Sequence, residues 1–302
     1  MADMTAPDTA IAPPAPPVAR AGSRLPTHWL GVAPFILFAL LFLILPTLYL
    51  IVGAFQDASG AFSLDSIRAL FTPSILAAYW ISIKVSLASS VIGALAGLAI
   101  AIAIIRGGLP EWLRSTTITF SGVASNFAGV PLAFAFLATL GRLGLVTVLL
   151  RGIGVNIYAL GFNILSFWGL TLTYLFFQIP LMVVIITPAI DGLKREWGEA
   201  AATLGATTMQ YWRMVVIPVL LPSFLGTLVL LFANSFGAIA TAYALTGSSL
   251  NIVPILLYAQ IRGDVLHNPN LGYALAFGMI VITGLANAFY IWFRTRSERW
   301  LK

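Results

Sequence analysis

The sequence predicts an all-α polytopic membrane protein with six transmembrane helices, and two observations lead to this fold class. The 302 residues are 60% hydrophobic and only 9% charged, whereas about a quarter of the residues in a soluble domain are charged. The apolar residues lie in six runs, each at least as long as the roughly 20 residues that a helix needs to cross a bilayer. The alternating segments of a membrane β-barrel do not occur in the sequence, so the spanning segments are predicted to be helices.

The predicted elements follow the apolar runs in chain order. Residues 1–27 contain six prolines and few large apolar side chains, so we expect a disordered cytoplasmic tail. Residues 28–78 are predicted to hold the first transmembrane helix and an outer loop, and residues 79–293 a core of five transmembrane helices. Residues 294–302 are predicted to be a basic cytoplasmic C-terminus. The six helices are predicted at about 29–55, 79–105, 118–140, 165–190, 217–246 and 271–293.

Small residues and prolines are frequent in the second to sixth predicted helices. Small side chains let membrane helices approach each other closely. The prolines at positions 131, 180, 188 and 222 are predicted to kink helices that move, because neighbouring groups can satisfy the carbonyls that a proline leaves free.

The distribution of Lys and Arg predicts the orientation. With the N-terminus inside, eleven basic residues fall in cytoplasmic segments and four fall in outer segments, and cytoplasmic loops carry the excess of positive charge. Both termini, and the loop at 191–216 between the fourth and fifth helices, are therefore predicted to be cytoplasmic. The same argument accounts for the net charge of +6, so the charge does not indicate binding to nucleic acid.

The residues that several other functions require are absent from this sequence. There is no cysteine, and none of the three lysines, Lys84, Lys194 and Lys302, lies in a phosphate-binding G-x-x-x-x-G-K-[ST] loop. An ion-coupled transporter often carries carboxylates or histidines at membrane depth, but all ten acidic residues and both histidines lie in tails or loops. A sodium site built from carbonyls and hydroxyls stays open. No protease motif is present either, so the chain is predicted not to be an enzyme.

The loop between the fourth and fifth helices is predicted to fold as two short helices. Gly205 is a natural residue to follow the end of the first helix, and Thr207 with Gln210 three residues later forms a capping-box pattern for the second. Pro218 is then predicted to open the fifth transmembrane helix. A helical hairpin that exposes charged and large apolar residues suits a protein partner, while an amphipathic helix lying on the lipid surface is an equal alternative.

The spacing in this loop resembles a known motif. Glu199, Ala200 and Ala201 are followed after three residues by Gly205, and after nine more by Val215-Val216-Ile217-Pro218. This pattern is similar to the E-A-A, three, G, nine, I-x-L-P loop of the permeases of type I ABC importers, with Val215 and Ile217 replacing Ile and Leu. The resemblance covers about residues 79–293 and implies the type I importer permease fold, with cytoplasmic coupling helices in the loop.

The resemblance also implies how such a protein works and with what. The first helix of the loop would dock on a separate ATPase subunit, where Glu199 would pair with a basic residue, Ala200 and Ala201 would permit close approach, and Gly205 would make the bend. ATP would be used by that subunit, and this chain would bind no cofactor or metal. A second permease, which we expect to be a different chain, and a periplasmic solute-binding protein would complete the assembly in the bacterial inner membrane. Basic residues in the outer loops could meet acidic patches of that protein or simply be solvated: Arg142, Arg151 and Arg262.

Polar residues within the predicted helices are candidates for the transport pathway. They are Asn126, Tyr174, Gln178, Asn234 and Ser235. Buried amides at membrane depth are costly unless they are hydrogen-bonded, and a water-filled pathway would satisfy them. Hydrogen bonds between helices would satisfy them equally, so both interpretations stay open.

The solute is suggested only by resemblance. The segments "GDVLHNPNLGYALAF" and "ANSFGAIATAYALTG" resemble permeases of the spermidine/putrescine group, which implies a polyamine or a similar small organic cation. Related permeases for ferric iron, thiamine, phosphonate or an oxyanion look similar in these segments, and they remain alternatives.

Overall fold

The computed structural model describes residues 28–262 and 268–297, and helices form most of this part of the chain. The helices are α1 His28–Ala39, α2 Leu45–Ala54, α3 Asp65–Ala69, α4 Pro73–Arg106, α5 Glu111–Asn126, α6 Val130–Leu140, α7 Leu145–Gly152, α8 Phe167–Asp191, α9 Arg195–Thr203, α10 Thr208–Tyr211, α11 Ile217–Phe236, α12 Ile239–Thr246, α13 Val253–Arg262 and α14 Pro269–Ser297. Two π-helical segments, Leu40–Ile44 and Trp212–Val216, precede α2 and α11. Among the described residues, strand pairing is limited to one isolated bridge between Gln56 and Phe62.

Six helical segments in the described part of the chain are long and apolar enough to cross a membrane, which confirms the predicted number. They are Gly31–Ala54, Pro73–Arg106, Val130–Gly152, Phe167–Asp191, Thr208–Phe236 and Pro269–Arg296. The predicted tail at 1–27 and the last residues of the predicted C-terminus, 298–302, lie outside the described residues.

Helix α8 lies at the centre of the bundle and packs against α4, α5 and α11. Its approach to α4 is close because α4 presents Gly93 and Gly97 on one face. A Cβ atom built on Gly97 would lie 2.6 Å from the Cβ of Met182 and 2.7 Å from the carbonyl oxygen of Ile179. Small residues at this spacing are the usual means by which membrane helices pack backbone to backbone.

Each π-helical segment comes directly before a proline. Leu40–Ile44 ends two residues before Pro46, and Trp212–Val216 ends two residues before Pro218. A proline cannot donate to the carbonyl four residues earlier, and its ring crowds that carbonyl, so a wider local turn accommodates it. Pro218 is the second residue of α11, which matches its predicted place at the start of this helix, and the π-helical segment extends the helical run back to Thr208.

The third and fifth predicted helices are each two helices rather than one. The segment 118–140 is interrupted at 127–129, where Gly129 has φ +78°, a conformation that an α-helix does not contain. The segment 217–246 is interrupted at Gly237 and Ala238, and Ala238 has the non-helical ψ of 67°. Pro131 is the second residue of α6, so it starts a helix, as prolines often do, instead of kinking one.

The second transmembrane helix begins at Pro73, six residues before the predicted boundary at 79. Thr72 has an extended backbone and Pro73 stands at the first helical position, which is a standard start signal for a helix. The boundary between the first segment and the five-helix core therefore falls inside α4.

Candidate functional site

The loop between α8 and α11 forms the predicted helical hairpin. Helix α9 ends at Thr203, and Gly205 follows with φ +76°, so the chain reverses where only glycine adopts the backbone without strain. The amide of Ala206 donates to the carbonyl of Ala201 at 2.9 Å and closes this turn. Thr207 and Gln210 then form the predicted capping box, in which the amide of Thr207 donates to Gln210 Oε1 at 2.7 Å. The turn and the cap are thus confirmed.

The hairpin presents both charge and large apolar side chains at its surface. Glu199 and Ala200 are exposed, while Ala201 is half-buried. Leu204, Met209 and Met214 expose 87%, 75% and 73% of their surface. Glu199 has no ion-pair partner within 4.0 Å among the described residues, whose two ion pairs both lie elsewhere. Exposed apolar side chains next to an available carboxylate form a surface suited to a protein partner.

The base of the hairpin is fastened to the transmembrane helices. Arg106, at the end of α4, donates to the carbonyl of Leu193 at 2.9 Å. Arg114 of α5 donates to both carboxylate oxygens of Asp191 at 2.8 and 3.0 Å. These contacts join α4 and α5 to the chain that enters the hairpin. Sequence reasoning did not identify them, because nothing local pairs residues so distant in the chain.

The remaining residues of the motif lie where the hairpin passes into the bundle. Val215 is half-buried, while Ile217 and Pro218 are exposed. Their neighbour Val216 is buried, with 1% exposure. A pocket of about 260 Å³ lies beside them and is lined by Arg106, Leu193, Tyr211, Trp212, Val216 and others.

The two interrupted helices meet at their interruptions. The amide of Gly129, just before α6, donates to the hydroxyl of Thr241 in the first turn of α12 at 2.7 Å. The hydroxyl of Tyr174 on α8 donates to the carbonyl of Ala238, just before α12, at 2.9 Å. Helices α6 and α12 also pack against each other, so the starts of these two helices lie side by side. Thr241 had no signal in the sequence, since a threonine in an apolar helix commonly bonds within its own helix.

The predicted pathway residues divide into an exposed pair and a buried set. Asn126 is the last residue of α5, and Asn234 lies three residues before the interruption at Gly237, so the two exposed asparagines stand just before the two breaks. Asn126 Nδ2 donates to the carbonyl of Gly122 at 2.9 Å. The other three candidates are buried: Tyr174, Gln178 and Ser235.

Each buried candidate makes a contact between helices. Gln178 Nε2 donates to the carbonyl of Leu231 at 2.9 Å, and its Oε1 has no hydrogen-bond partner among the described residues. The hydroxyl of Ser235 lies 3.4 Å from the carbonyl of Ser86. These positions suit the alternative in which the polar groups hold the bundle together, and a pathway role for any of the five residues stays a prediction.

Comparisons with known proteins agree with this architecture. Residues 90–302 match the family described as "Binding-protein-dependent transport system inner membrane component". The chain is 30% identical over 219 residues to the molybdenum transport system permease protein ModB of Mycobacterium tuberculosis, covering 71% of this chain and 78% of the relative. It is 28% identical to the sulfate transport system permease protein CysT of Salmonella typhimurium, covering 79% of this chain and 83% of the relative.

A shorter match is found to the spermidine/putrescine transport system permease protein PotC of Escherichia coli. It is 29% identical and covers 39% of this chain and 44% of the relative. Among solved structures, a bacterial ABC transporter for the acidic polysaccharide alginate superposes with a TM-score of 0.68 at 18% identity, covering 91% of this chain and 96% of the matched chain. The chain belongs to the family of binding-protein-dependent transport system inner membrane components and is a permease subunit of an ABC importer.

Proposed function

We propose that this permease imports a small oxyanion of the sulfate and molybdate class. Two relatives that match more than two thirds of this chain are named for molybdenum and sulfate transport, whereas the polyamine permease PotC matches over 39% of the chain. The observation that carries the proposal is the pairing of the two helix breaks.

The two adjacent helix starts favour the binding of an anion. Helices α6 and α12 start next to each other, and neither start is capped by a side chain. The free amides and the dipole of a helix start attract anions, and transporters use half-helix starts in this way. Apart from Asp191, the last residue of α8, the six membrane segments contain no carboxylate. A pathway that passes the two breaks would therefore meet the positive ends of two helix dipoles and no opposing carboxylate.

A polyamine is the second candidate. It is supported by the local resemblance of the fifth and sixth helices to spermidine/putrescine permeases and by the match to PotC. Aromatic rings can hold ammonium groups, so a lack of carboxylates does not by itself decide against a polycation.

The hairpin would couple this permease to an ATPase. In this proposal, the exposed carboxylate of Glu199 and the neighbouring apolar side chains dock on a separate ATPase subunit, which hydrolyses the ATP. The bend at Gly205 and the contacts of Arg106 and Arg114 would pass its motion to the bundle. A second permease, which we expect to be a different chain, would face this one, and a solute-binding protein would deliver the solute from the periplasm. Both termini and the hairpin would then lie on the cytoplasmic side of the inner membrane.

Uptake measurements with competing solutes test the proposal. The chain is expressed with its ATPase and binding-protein partners in a bacterial host that lacks its own sulfate, molybdate and polyamine importers. We expect ATP-dependent uptake of radiolabelled sulfate or molybdate that excess spermidine does not inhibit. Uptake of spermidine without uptake of either oxyanion would establish the second candidate instead.

The pathway role of the asparagines has a matched control in the same chain. Asn287 on α14 is exposed and donates to the carbonyl four residues earlier, that of Thr283, at 2.9 Å, as Asn126 does to Gly122. We expect Asn126→Leu and Asn234→Leu to reduce uptake at unchanged membrane levels, and Asn287→Leu to leave uptake intact. Equal uptake by all three variants would reject the pathway role.

A further inference from the structure

A second polar feature lies at the end of the bundle opposite the hairpin. The segment between α6 and α8 forms an open pocket of about 440 Å³, lined by Arg142, Arg151, Asn156, Tyr158, Asn163 and neighbouring residues; we call it the basic pocket. The basic pocket adjoins the start of α8 and the hairpin follows its end. Because α8 has 25 residues, the two features are separated by about 37 Å along the helix axis.

The asparagine side chains of the basic pocket can donate hydrogen bonds to a ligand. Asn156 Oδ1 accepts from the amide of Ala159 at 3.2 Å, and Asn163 Oδ1 accepts from the amide of Leu165 at 3.0 Å. Each side-chain oxygen thus already accepts a hydrogen bond within the segment, and each NH₂ group supplies two donors for a ligand.

The arginine at position 142 is held by an aromatic ring. The hydroxyl of Tyr158 donates to the carbonyl of Leu140 at 2.9 Å, which fixes the ring. The guanidinium of Arg142 lies over that ring, with 5.7 Å between Cζ and the centroid. A stacked guanidinium retains its charge and its donors, so the ring positions the group without neutralising it.

The charge of the basic pocket is not balanced locally. Asp and Glu are absent from its lining. The two ion pairs of the described residues join Arg68 to Asp65 and Arg114 to Asp191, and neither involves a residue of the basic pocket. Two arginines, whose guanidinium groups are permanently charged, and two asparagines therefore line one cavity, and such a set matches a ligand that only accepts hydrogen bonds.

We propose that the basic pocket binds a small doubly charged oxyanion, such as sulfate, at the end of the bundle where solute enters. The entry role rests on the proposed function, whereas the binding itself rests only on the donors described above. The pocket is open and its arginines are exposed, so the anion keeps part of its hydration and exchanges readily. A site on a transport route has to release its ligand as well as bind it.

Direct binding to the purified full-length chain tests the inference. Equilibrium dialysis with radiolabelled sulfate at low chloride concentration is carried out on the wild type and on the R142Q/R151Q variant. We expect the variant to bind sulfate at least about tenfold more weakly, since each guanidinium supplies charge-assisted hydrogen bonds. The control is R68Q, which removes an exposed arginine that already faces Asp65, and it should bind sulfate as the wild type does. Unchanged binding by the double variant, or no binding by the wild type, overturns the inference.

Two further measurements keep the result unambiguous. If the double variant does not fold, R151Q alone is compared with R151K, which keeps the charge and should keep part of the affinity. If sulfate binding is unaffected but the double variant no longer captures the binding protein, the pocket serves carboxylates of that protein, and the inference is wrong. Sulfate binding that depends on the two arginines, together with uptake of polyamine alone, upholds the anion site and overturns the proposed function instead.

Discussion

Replacing Gly205 by alanine tests whether the bend of the hairpin couples ATP hydrolysis to solute import. Gly205 has φ +76°, and a Cβ atom at this position would meet nothing within 4 Å. The cost of the substitution is therefore conformational, about 1–2 kcal/mol for an L-residue in the left-handed region. A change of this size alters the ratio of bent to unbent hairpin by a factor of about 5 to 30.

A series of variants separates the bend from other effects. Asparagine tolerates positive φ better than alanine, so Gly205→Asn should be milder than Gly205→Ala, and Gly205→Val should be the most severe. The matched control is Gly198→Ala in α9, where the new Cβ would lie 3.7 Å from the ring of Tyr211, an ordinary contact. Since alanine is the better helix former by about 1 kcal/mol, this control should be neutral or slightly stabilising.

The assay is the number of ATP molecules hydrolysed per solute imported by the complete transporter in proteoliposomes. We expect this number to rise in the order asparagine, alanine, valine at position 205 and to stay at the wild-type value in Gly198→Ala. Wild-type coupling in Gly205→Val, at normal membrane levels, would refute the argument that the bend transmits work.

Two further predictions concern packing and charge. Gly97→Leu should abolish folding, because even its Cβ would lie 2.6 Å from the Cβ of Met182. The control Gly284→Leu on α14, where a Cβ would meet nothing within 4 Å, should fold normally. Membrane levels and thermal unfolding measure both variants, and a folded Gly97→Leu protein would contradict the close approach of α4 to α8. Arg114→Gln should lower the free energy of unfolding by about 0.2–1 kcal/mol, since the ion pair of Arg114 with Asp191 is partly exposed. This loss of stability should shrink in high salt. A loss that does not depend on salt would contradict an electrostatic contribution from the pair.

The hairpin could be predicted from the sequence because its signals are local. Gly205 after one helix, and Thr207 with Gln210 at the start of the next, specify a turn and a cap within six residues. The number of transmembrane helices followed for a similar reason, since each helix must be apolar over its whole length.

The helix breaks could not be predicted in this way. Gly129 and Pro131 lie within an apolar run, so average hydropathy passes over them, and the same residue types elsewhere in the chain stand inside continuous helices. What fixes the break is the bond from Gly129 to Thr241, two residues that are 112 positions apart. The buried positions of Tyr174 and Gln178 escaped prediction as well, because helical periodicity places them on one face but does not identify what lies opposite.

The bond between Gly129 and Thr241 has a mechanical consequence. It ties together two helix starts that belong to different parts of the chain, while α5 and α11 end just short of them without a continuous backbone ladder across the breaks. In the proposed coupling, motion of the hairpin would tilt α5 and α11 at the two breaks, which this bond holds next to each other. The bonded starts of α6 and α12 would stay together during this motion. One end of the bundle could then open while the helix packing at the other end stays intact.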